Sequence, residues 1–291
     1  MRVALAVMAA LLLVTGTAEA TPRHIGGVAE SLHPEGVQWD PTRGQFLVSS
    51  LRHGTVSLVS QTGRVRTLVS GTKMVSTFGI QVDRGRLLVA FGDIGLGDRQ
   101  ELGQSGLGIF DLRTGRTISL IDIPNGANDV AVDPAGNAYV TGTKGDTIFK
   151  VDRAGTVTAF AKDPRLGGES FGNNGIAWDP RGFLITGHYT TGTLFKVTQD
   201  HVEELPAPKL PGADGLTLTP QGLTVVTNRL SAPGKNAVTV LDTRTWQIRS
   251  QREWRTAPTT AARTPHGTYV LSGYLDVLIA GSTTDEFSLD R

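Results

Sequence analysis

The chain has 291 residues, of which 39% are hydrophobic, 6% aromatic and 19% charged, with a formal charge of +1. That balance excludes a disordered or fibrous chain and advertises no polyanionic partner such as nucleic acid. With no cysteine anywhere, disulfides, thiolate metal sites and a cysteine nucleophile are excluded together, and the core has to hold the fold.

The first twenty residues, MRVALAVMAALLLVTGTAEA, carry a basic Arg2, an apolar run from Val3 to Val14 and a small-x-small end at Ala18-Glu19-Ala20. This is the pattern of a cleaved secretory signal peptide, residues 1–20. The apolar run is shorter than the roughly 20 residues that span a bilayer. No later stretch is long and apolar enough to span. The expectation is a secreted or otherwise extracytoplasmic protein without a membrane span, a monomer, with one domain over residues 21–291. Loss of Arg2 and Glu19 leaves 27 basic and 26 acidic residues, so the charge stays at +1.

From there one phrase recurs six times: EGVQWDPTRGQFLVSS from Glu35, FGIQVDRGRLLVAF from Phe78, NDVAVDPAGNAYVTGT from Asn128, NGIAWDPRGFLITGH from Asn174, DGLTLTPQGLTVVTN from Asp214 and TTAARTPHGTYVLSG from Thr259. Each is a short apolar alternation, a turn with Asp-Pro, Thr-Pro or Asp-Arg beside a glycine, and a second run rich in Val, Leu, Ile or Tyr. That is a two-stranded hairpin. A third strand follows in several copies, as in GTLFKVTQD, and often a fourth, as in TVTAFAKD.

The copies start 43, 50, 46, 40 and 45 residues apart, close to the ~40 to 50 residues of a four-stranded propeller blade. The predicted fold is all-β: a six-bladed β-propeller of four-stranded antiparallel blades. The sixth copy has only DEFSLDR as a clear further strand, so residues near Thr21 to Ala29 are expected to supply its edge strand and close the ring. Two glycine-rich segments, Phe91 to Gly108 and Pro164 to Asn174, break the period and read as loops over one face.

Equivalent positions of the innermost strands form a ring around a propeller axis. The first position of the phrase is Glu35, Phe78, Asn128, Asn174, Asp214 and Thr259 in turn. Glu35, Asn128, Asn174 and Asp214 are hard-oxygen donors, suited to a divalent cation, with Ca²⁺ the most natural fit. Mg²⁺ and Mn²⁺ fit less well, and Zn²⁺ prefers the His or Cys that this position lacks. The alternative for each Asn or Asp taken singly is turn formation, which does not extend to Glu35. Asp129 stands where most copies have glycine and is a candidate second-shell or substrate-contacting group.

Asp40, Asp83, Asp133 and Asp179 recur in the far turn and read as turn chemistry. The six histidines show no ligand spacing, and His33 and His188 are the two placed near the expected mouth. No nucleophile elbow, P-loop or dinucleotide fingerprint in a strand-to-helix context is expected.

At PEGVQWD, ANDVAVDPAGNAYV, NNGIAWDPRG and ADGLTLTPQG the chain resembles the senescence marker protein/gluconolactonase family, six-bladed propellers that include regucalcin-like sugar lactone lactonases. The resemblance covers nearly all of residues 21–291. It implies that Glu35, Asn174 and Asp214 are divalent-metal ligands and that Asn128 lies beside metal and substrate. It further implies metal-assisted hydrolysis of a small-molecule lactone or ester, with Asp214 as catalytic base and Asn128 and Asp129 at the substrate. Sugar lactonases of the family carry an arginine two residues before that asparagine, where this chain has Gly126, and its mouth loops are glycine-rich rather than charged. A less polar lactone or ester is therefore as well supported as a polyol lactone. A non-catalytic ligand- or protein-binding propeller braced by a structural Ca²⁺ is the competing expectation.

Overall fold

The computed structural model describes residues 21–168 and 170–291, so the signal-peptide expectation lies outside the described residues. In chain order, β1 (His24–Val28) precedes the first full blade, which is β2 (Val37–Asp40), β3 (Gln45–Ser49), β4 (Val56–Val59) and β5 (Val65–Val69). Blade two is β6 (Ser76–Asp83), β7 (Arg86–Gly92), β8 (Ser105–Asp111) and β9 (Thr117–Asp122). Blade three is β10 (Ala127–Val132), β11 (Ala138–Gly142), β12 (Thr147–Val151) and β13 (Val157–Lys162). Blade four is β14 (Asn173–Asp179), β15 (Phe183–His188), β16 (Leu194–Thr198) and β17 (His201–Glu204). Blade five is β18 (Ala213–Thr219), β19 (Gly222–Thr227), β20 (Ala237–Leu241) and β21 (Ile248–Glu253). Blade six holds β22 (Pro258–Thr264), β23 (Gly267–Ser272), a short helix α1 (Leu275–Ile279) and β24 (Glu286–Asp290).

The described strands form six four-stranded sheets, and β1 is the outer strand of the sixth, in the order β22-β23-β24-β1. Its pairing with β24 runs antiparallel from His24 opposite Asp290 to Val28 opposite Glu286. The segment expected to close the ring therefore does so. Helix α1 was not expected. It sits in the connection from β23 to β24 and buries Leu275 and Leu278. Among the described residues no helix is long and apolar enough to cross a membrane.

Each blade buries both faces against its neighbours, so the inner strands read as nearly continuous apolar runs. β15 and β19 are buried at every position, whereas the outermost β21 is exposed along its whole length. Apolar layers fill the spaces between blades: Phe46, Val48, Tyr269, Leu271 and Phe287 between blades six and one, for example, and Tyr139, Ile148, Leu184 and Phe195 between blades three and four. At the far end the turn aspartates do what their position suggests. Asp40 accepts from Thr42 N at 2.9 Å and from Arg43, and Asp179 takes Arg181 Nε and Nη2 at 2.9 and 2.7 Å. Burial pushes the Asp40 and Asp179 carboxyls up, but these bonds outweigh it and hold both below the ordinary value.

The residue after each ring position decides how close the inner strands can come. It is Gly36, Gly79, Gly175 and Gly215 in four copies. A Cβ on Gly175 would lie 2.0 Å from the Asp214 carbonyl oxygen of the next blade, and one on Gly36 would lie 2.2 Å from the Phe78 carbonyl oxygen. Backbone cannot yield as a flexible side chain can. Gly175→Ala is therefore expected to destabilise the protein by about 3 kcal/mol, the upper end of overpacking effects, as read from urea unfolding. An unchanged midpoint would mean that the inner strands are less tightly packed than described.

Candidate functional site

Five of the six innermost strands break register at the start of the phrase: between Thr77 and Ile80, Ala127 and Val130, Asn173 and Ile176, Ala213 and Leu216, and Pro258 and Ala261. The unpaired residues are the ring position and its successor. A bulge of this kind re-aims side chains at the end of a strand, and it turns Asn128, Asn174 and Asp214 toward the axis. In blade one the equivalent Glu35-Gly36 precedes β2, with Gly36 N donating to Ser49 Oγ at 2.7 Å and Ser49 N to Gly36 O at 3.0 Å.

All four predicted donors line one axial cavity of about 270 Å³. Glu35, Asn174 and Asp214 are buried, and Asn128 is half-buried. Asp129 lines the same cavity, and its oxygens accept from Val130 N at 2.8 Å and from Ile176 N of the next blade at 3.1 Å. Phe78 and Thr259, the two apolar or weakly polar members of the ring, take other roles. Phe78 packs in the core, and Thr259 Oγ1 donates to the Glu35 carbonyl at 2.6 Å, joining blades six and one.

Three carboxylates in one buried channel disturb one another. Burial, then the charges of Asp214 and Asp129, push Glu35 well above the usual carboxylate range. Burial likewise raises Asp214, against the Asn228 bond, with the Asp129 charge adding to it. Asp129 rises to about 6 through burial, its two backbone bonds opposing. Two buried oxygens, Glu35 Oε2 and Asn128 Oδ1, have no hydrogen-bond partner in the protein, a costly state unless something else satisfies them. Among the described residues no three His, Asp or Glu come together as a metal-holding cluster. A cation held here would depend on the two amides as well as on Glu35 and Asp214, an all-oxygen set.

A buried network that the sequence reading missed holds Asp214. Asn228, at the end of β19, donates Nδ2 to Asp214 Oδ2 at 2.6 Å and to the Pro258 carbonyl at 3.0 Å. Its Oδ1 accepts from Tyr189 Oη at 2.6 Å. Asn174 lines the same cavity as the Asp214 carboxylate. Neither Asn228 nor Tyr189 recurs in the repeat, so nothing periodic marks them. Asn228→Ala would take the acceptor from the Tyr189 hydroxyl, leaving only the bond it accepts from Ser231 N, and remove the donor to Asp214. A loss of about 3 kcal/mol is expected in urea unfolding, against about 1 kcal/mol for Tyr189→Phe.

The histidines near the mouth are structural. His33 bonds the Gly273 carbonyl through Nδ1 and Thr284 N through Nε2, and His188 uses both nitrogens on the backbone of Gly167 and Thr191. One stretch, GESFG over Gly168 to Gly172, does have the G-x-S-x-G spacing. It is no nucleophile elbow, because it follows a 3-10 turn (Pro164–Leu166) and precedes a strand rather than a helix, with Ser170 exposed to solvent.

Loop residues from several blades pack together in one apolar cluster. Leu51, Leu275 and Leu278 join one apolar cluster with Phe78, and Leu96 and Leu230 pack against it. The glycine-rich segment after Phe91 is well anchored. Asp93 accepts from Gly95 N and Glu101 N at 2.7 and 2.6 Å, and Arg52 bridges to Asp98 at 2.6 Å.

The sequence profile of the SMP-30/Gluconolactonase/LRE-like region matches residues 33–196, more than half of the chain. The chain belongs to that family. The match takes in Glu35, Asn128 and Asn174 and ends before Asp214. No curated protein sequence matches the chain. Among solved structures the chain is similar to the major allergen Mala s 1 of Malassezia sympodialis, at 19% identity over 92% of this chain and 95% of that one, with a TM-score of 0.72. A gluconolactonase of Xanthomonas campestris aligns at 16% identity over 94% and 92%, TM-score 0.63. A PQQ-bound aldose sugar dehydrogenase of Streptomyces coelicolor aligns at 14% identity over 93% and 99%, TM-score 0.62. An allergen, a hydrolase and an oxidoreductase on one scaffold mark these likenesses as likenesses of fold, and chemistry has to be argued from the site.

Proposed function

We propose that the protein is an exported, divalent-metal-dependent hydrolase that opens a lactone or cleaves an ester. The observation that carries this reading is the pair of orphaned buried oxygens, Glu35 Oε2 and Asn128 Oδ1, in the channel that Asn174 and Asp214 also line. Those four residues would hold the cation, and Ca²⁺ suits the donor set better than Mg²⁺, Mn²⁺ or Zn²⁺. A cation bound there would polarise the substrate carbonyl and lower the pKa of water.

The remaining work falls to the chain's own groups. Asp214, its Oδ2 held by Asn228, is placed to accept a proton from the attacking water. It returns that proton to the alkoxide oxygen as the acyl carbon–oxygen bond opens. Asn128 presents its amide to the substrate, and Asp129 ties blade three to blade four behind it. The apolar cluster that Leu51, Leu275 and Leu278 form with the ring residue Phe78 favours a substrate less polar than a sugar lactone.

The test is turnover of sugar, acyl-homoserine and aryl lactones by the purified protein with Ca²⁺ and after EDTA. Hydrolysis of at least one, lost with chelator and restored by Ca²⁺, is the expected result. Bound metal without turnover across the panel would leave the cation as the brace of a non-catalytic binding propeller.

A further inference from the structure

A second cavity, of about 330 Å³, lies at the mouth between blades two and three, and Asn128 lines both it and the axial channel. Through Asn128 this cavity adjoins the ring. Its walls include Phe78, Ile94 and Phe171, and it is also lined by Asn128, Thr143 and Lys144. Thr143 is 5% exposed and its Oγ1 is buried with no partner. A buried, unanswered hydroxyl on the wall of a cavity points to a ligand that answers it.

Lys144 supplies the charge. Its turn is pinned to the strand beside it, Thr143 N bonding the Gly126 carbonyl and Lys144 N the Asn125 carbonyl, both at 2.9 Å. A Cβ on Gly126 would stand 3.1 Å from Lys144 Cγ, so the lysine stem lies across Gly126, two residues from Asn128. Among the described residues no carboxylate pairs with the ammonium of Lys144, Lys150 or Lys162, whereas Lys73, Lys196, Lys209 and Lys235 each have one; of the three, Lys144 lines the cavity. Asp93 also lines the cavity. Its carboxylate, already committed to Gly95 N and Glu101 N, opposes a dianion such as a phosphate monoester.

We infer that this cavity is the specificity pocket and that it takes a lactone or ester with a compact apolar body and a single carboxylate, recognised by Lys144. The inference rests on the hydrolase reading for its chemistry but not for its binding. Thr143 Oγ1 and Asn128 hydrogen-bond the polar edge of the same ligand, and Phe78, Ile94 and Phe171 enclose its body.

The experiment compares γ-butyrolactone with its ring carboxylate, 5-oxotetrahydrofuran-2-carboxylate, on wild type, Lys144→Met and Lys144→Arg. Lys144 is exposed, so these variants are expected to fold, which a thermal melt checks. Wild type is expected to favour the carboxylated lactone in kcat/KM. Lys144→Met should lower that preference about tenfold or more, the worth of one charge-assisted contact, without changing kcat/KM on the neutral lactone, and Lys144→Arg should restore most of it. A preference unchanged in Lys144→Met would overturn the inference. If neither lactone is turned over, the hydrolase reading is judged separately on the wider lactone panel. Calorimetric binding of tetrahydrofuran-2-carboxylate, a monocarboxylate of the same ring that cannot be hydrolysed, then decides: weakening about tenfold in Lys144→Met supports the pocket, and equal or absent binding in all three proteins refutes it.

Discussion

Asp214→Ala is expected to abolish lactone hydrolysis, with kcat/KM falling about 10³-fold or more. General-base catalysis alone contributes roughly 10² to 10⁴, and the same substitution would remove one of the four proposed cation donors. Added Ca²⁺ would offset weakened cation binding but not the missing base, so it should not rescue the activity. Glu35→Gln makes the informative contrast. It keeps the shape of a buried side chain and leaves Asp214 on Asn228, so its defect should be in cation affinity, and saturating Ca²⁺ should recover most of the activity. Steady-state kinetics on the best lactone of the panel, titrated with Ca²⁺, separates the two variants. Asp214→Ala within tenfold of wild type would remove Asp214 from the reaction. Equal rescue of both variants would make it a ligand and nothing more.

Removal of the cation is expected to lower the melting temperature by roughly 5 to 10 °C. At a hundredfold excess over its Kd a ligand that binds only the folded state contributes about 3 kcal/mol, and a domain of this size shifts by about 2 to 4 °C for each. The cation-free protein should also carry a pH signature. Glu35, Asp129 and Asp214 are all raised in the fold, so between their unfolded values near pH 4 and their folded ones the native state holds more protons than the unfolded chain. The contribution of these three carboxyls to stability is then full below about pH 4 and falls as pH rises. For Asp129, raised to about 6, the fall is complete above that pH and amounts to about 3 kcal/mol. Cation at saturating concentration should reverse the trend by favouring the ionised carboxylates. Chemical unfolding at pH 4, 5, 6 and 7, with Ca²⁺ and with EDTA, reads both effects. A cation-free protein that gains stability from pH 5 to 7, where the turn aspartates are ionised in both states, would contradict the electrostatics of the channel.

Much of this site is legible before any folding is considered, because a propeller repeats strand direction and radius from blade to blade. Glu35, Asn128, Asn174 and Asp214 share a register in the sequence, and all four line one channel. The turn aspartates are legible for a similar local reason, since Asp179 and Arg181 meet within one hairpin. Asn228 is different. It lies 14 residues from Asp214, and its other partner, Tyr189, belongs to another blade. Lys144 and Gly126 likewise meet only because the turn after β11 folds back on the chain entering β10. The GESFG spacing misleads in the opposite direction, because spacing alone does not say whether a strand or a helix follows.

The sequence by itself determined the number of blades, the turn chemistry and the types of donor on the axis, since all three are written in alternation and spacing that repeat locally. It also carried the closing strand, through a sixth copy too short to fill a sheet. Only the tertiary structure decided that bulges turn the ring residues inward, that Asn228 holds Asp214, that leucines from separate loops share one apolar cluster with Phe78, and that a pocket bearing Lys144 opens beside Asn128. Those features depend on side chains from non-repeating loops meeting across blade boundaries, and such meetings have no period for a sequence to show.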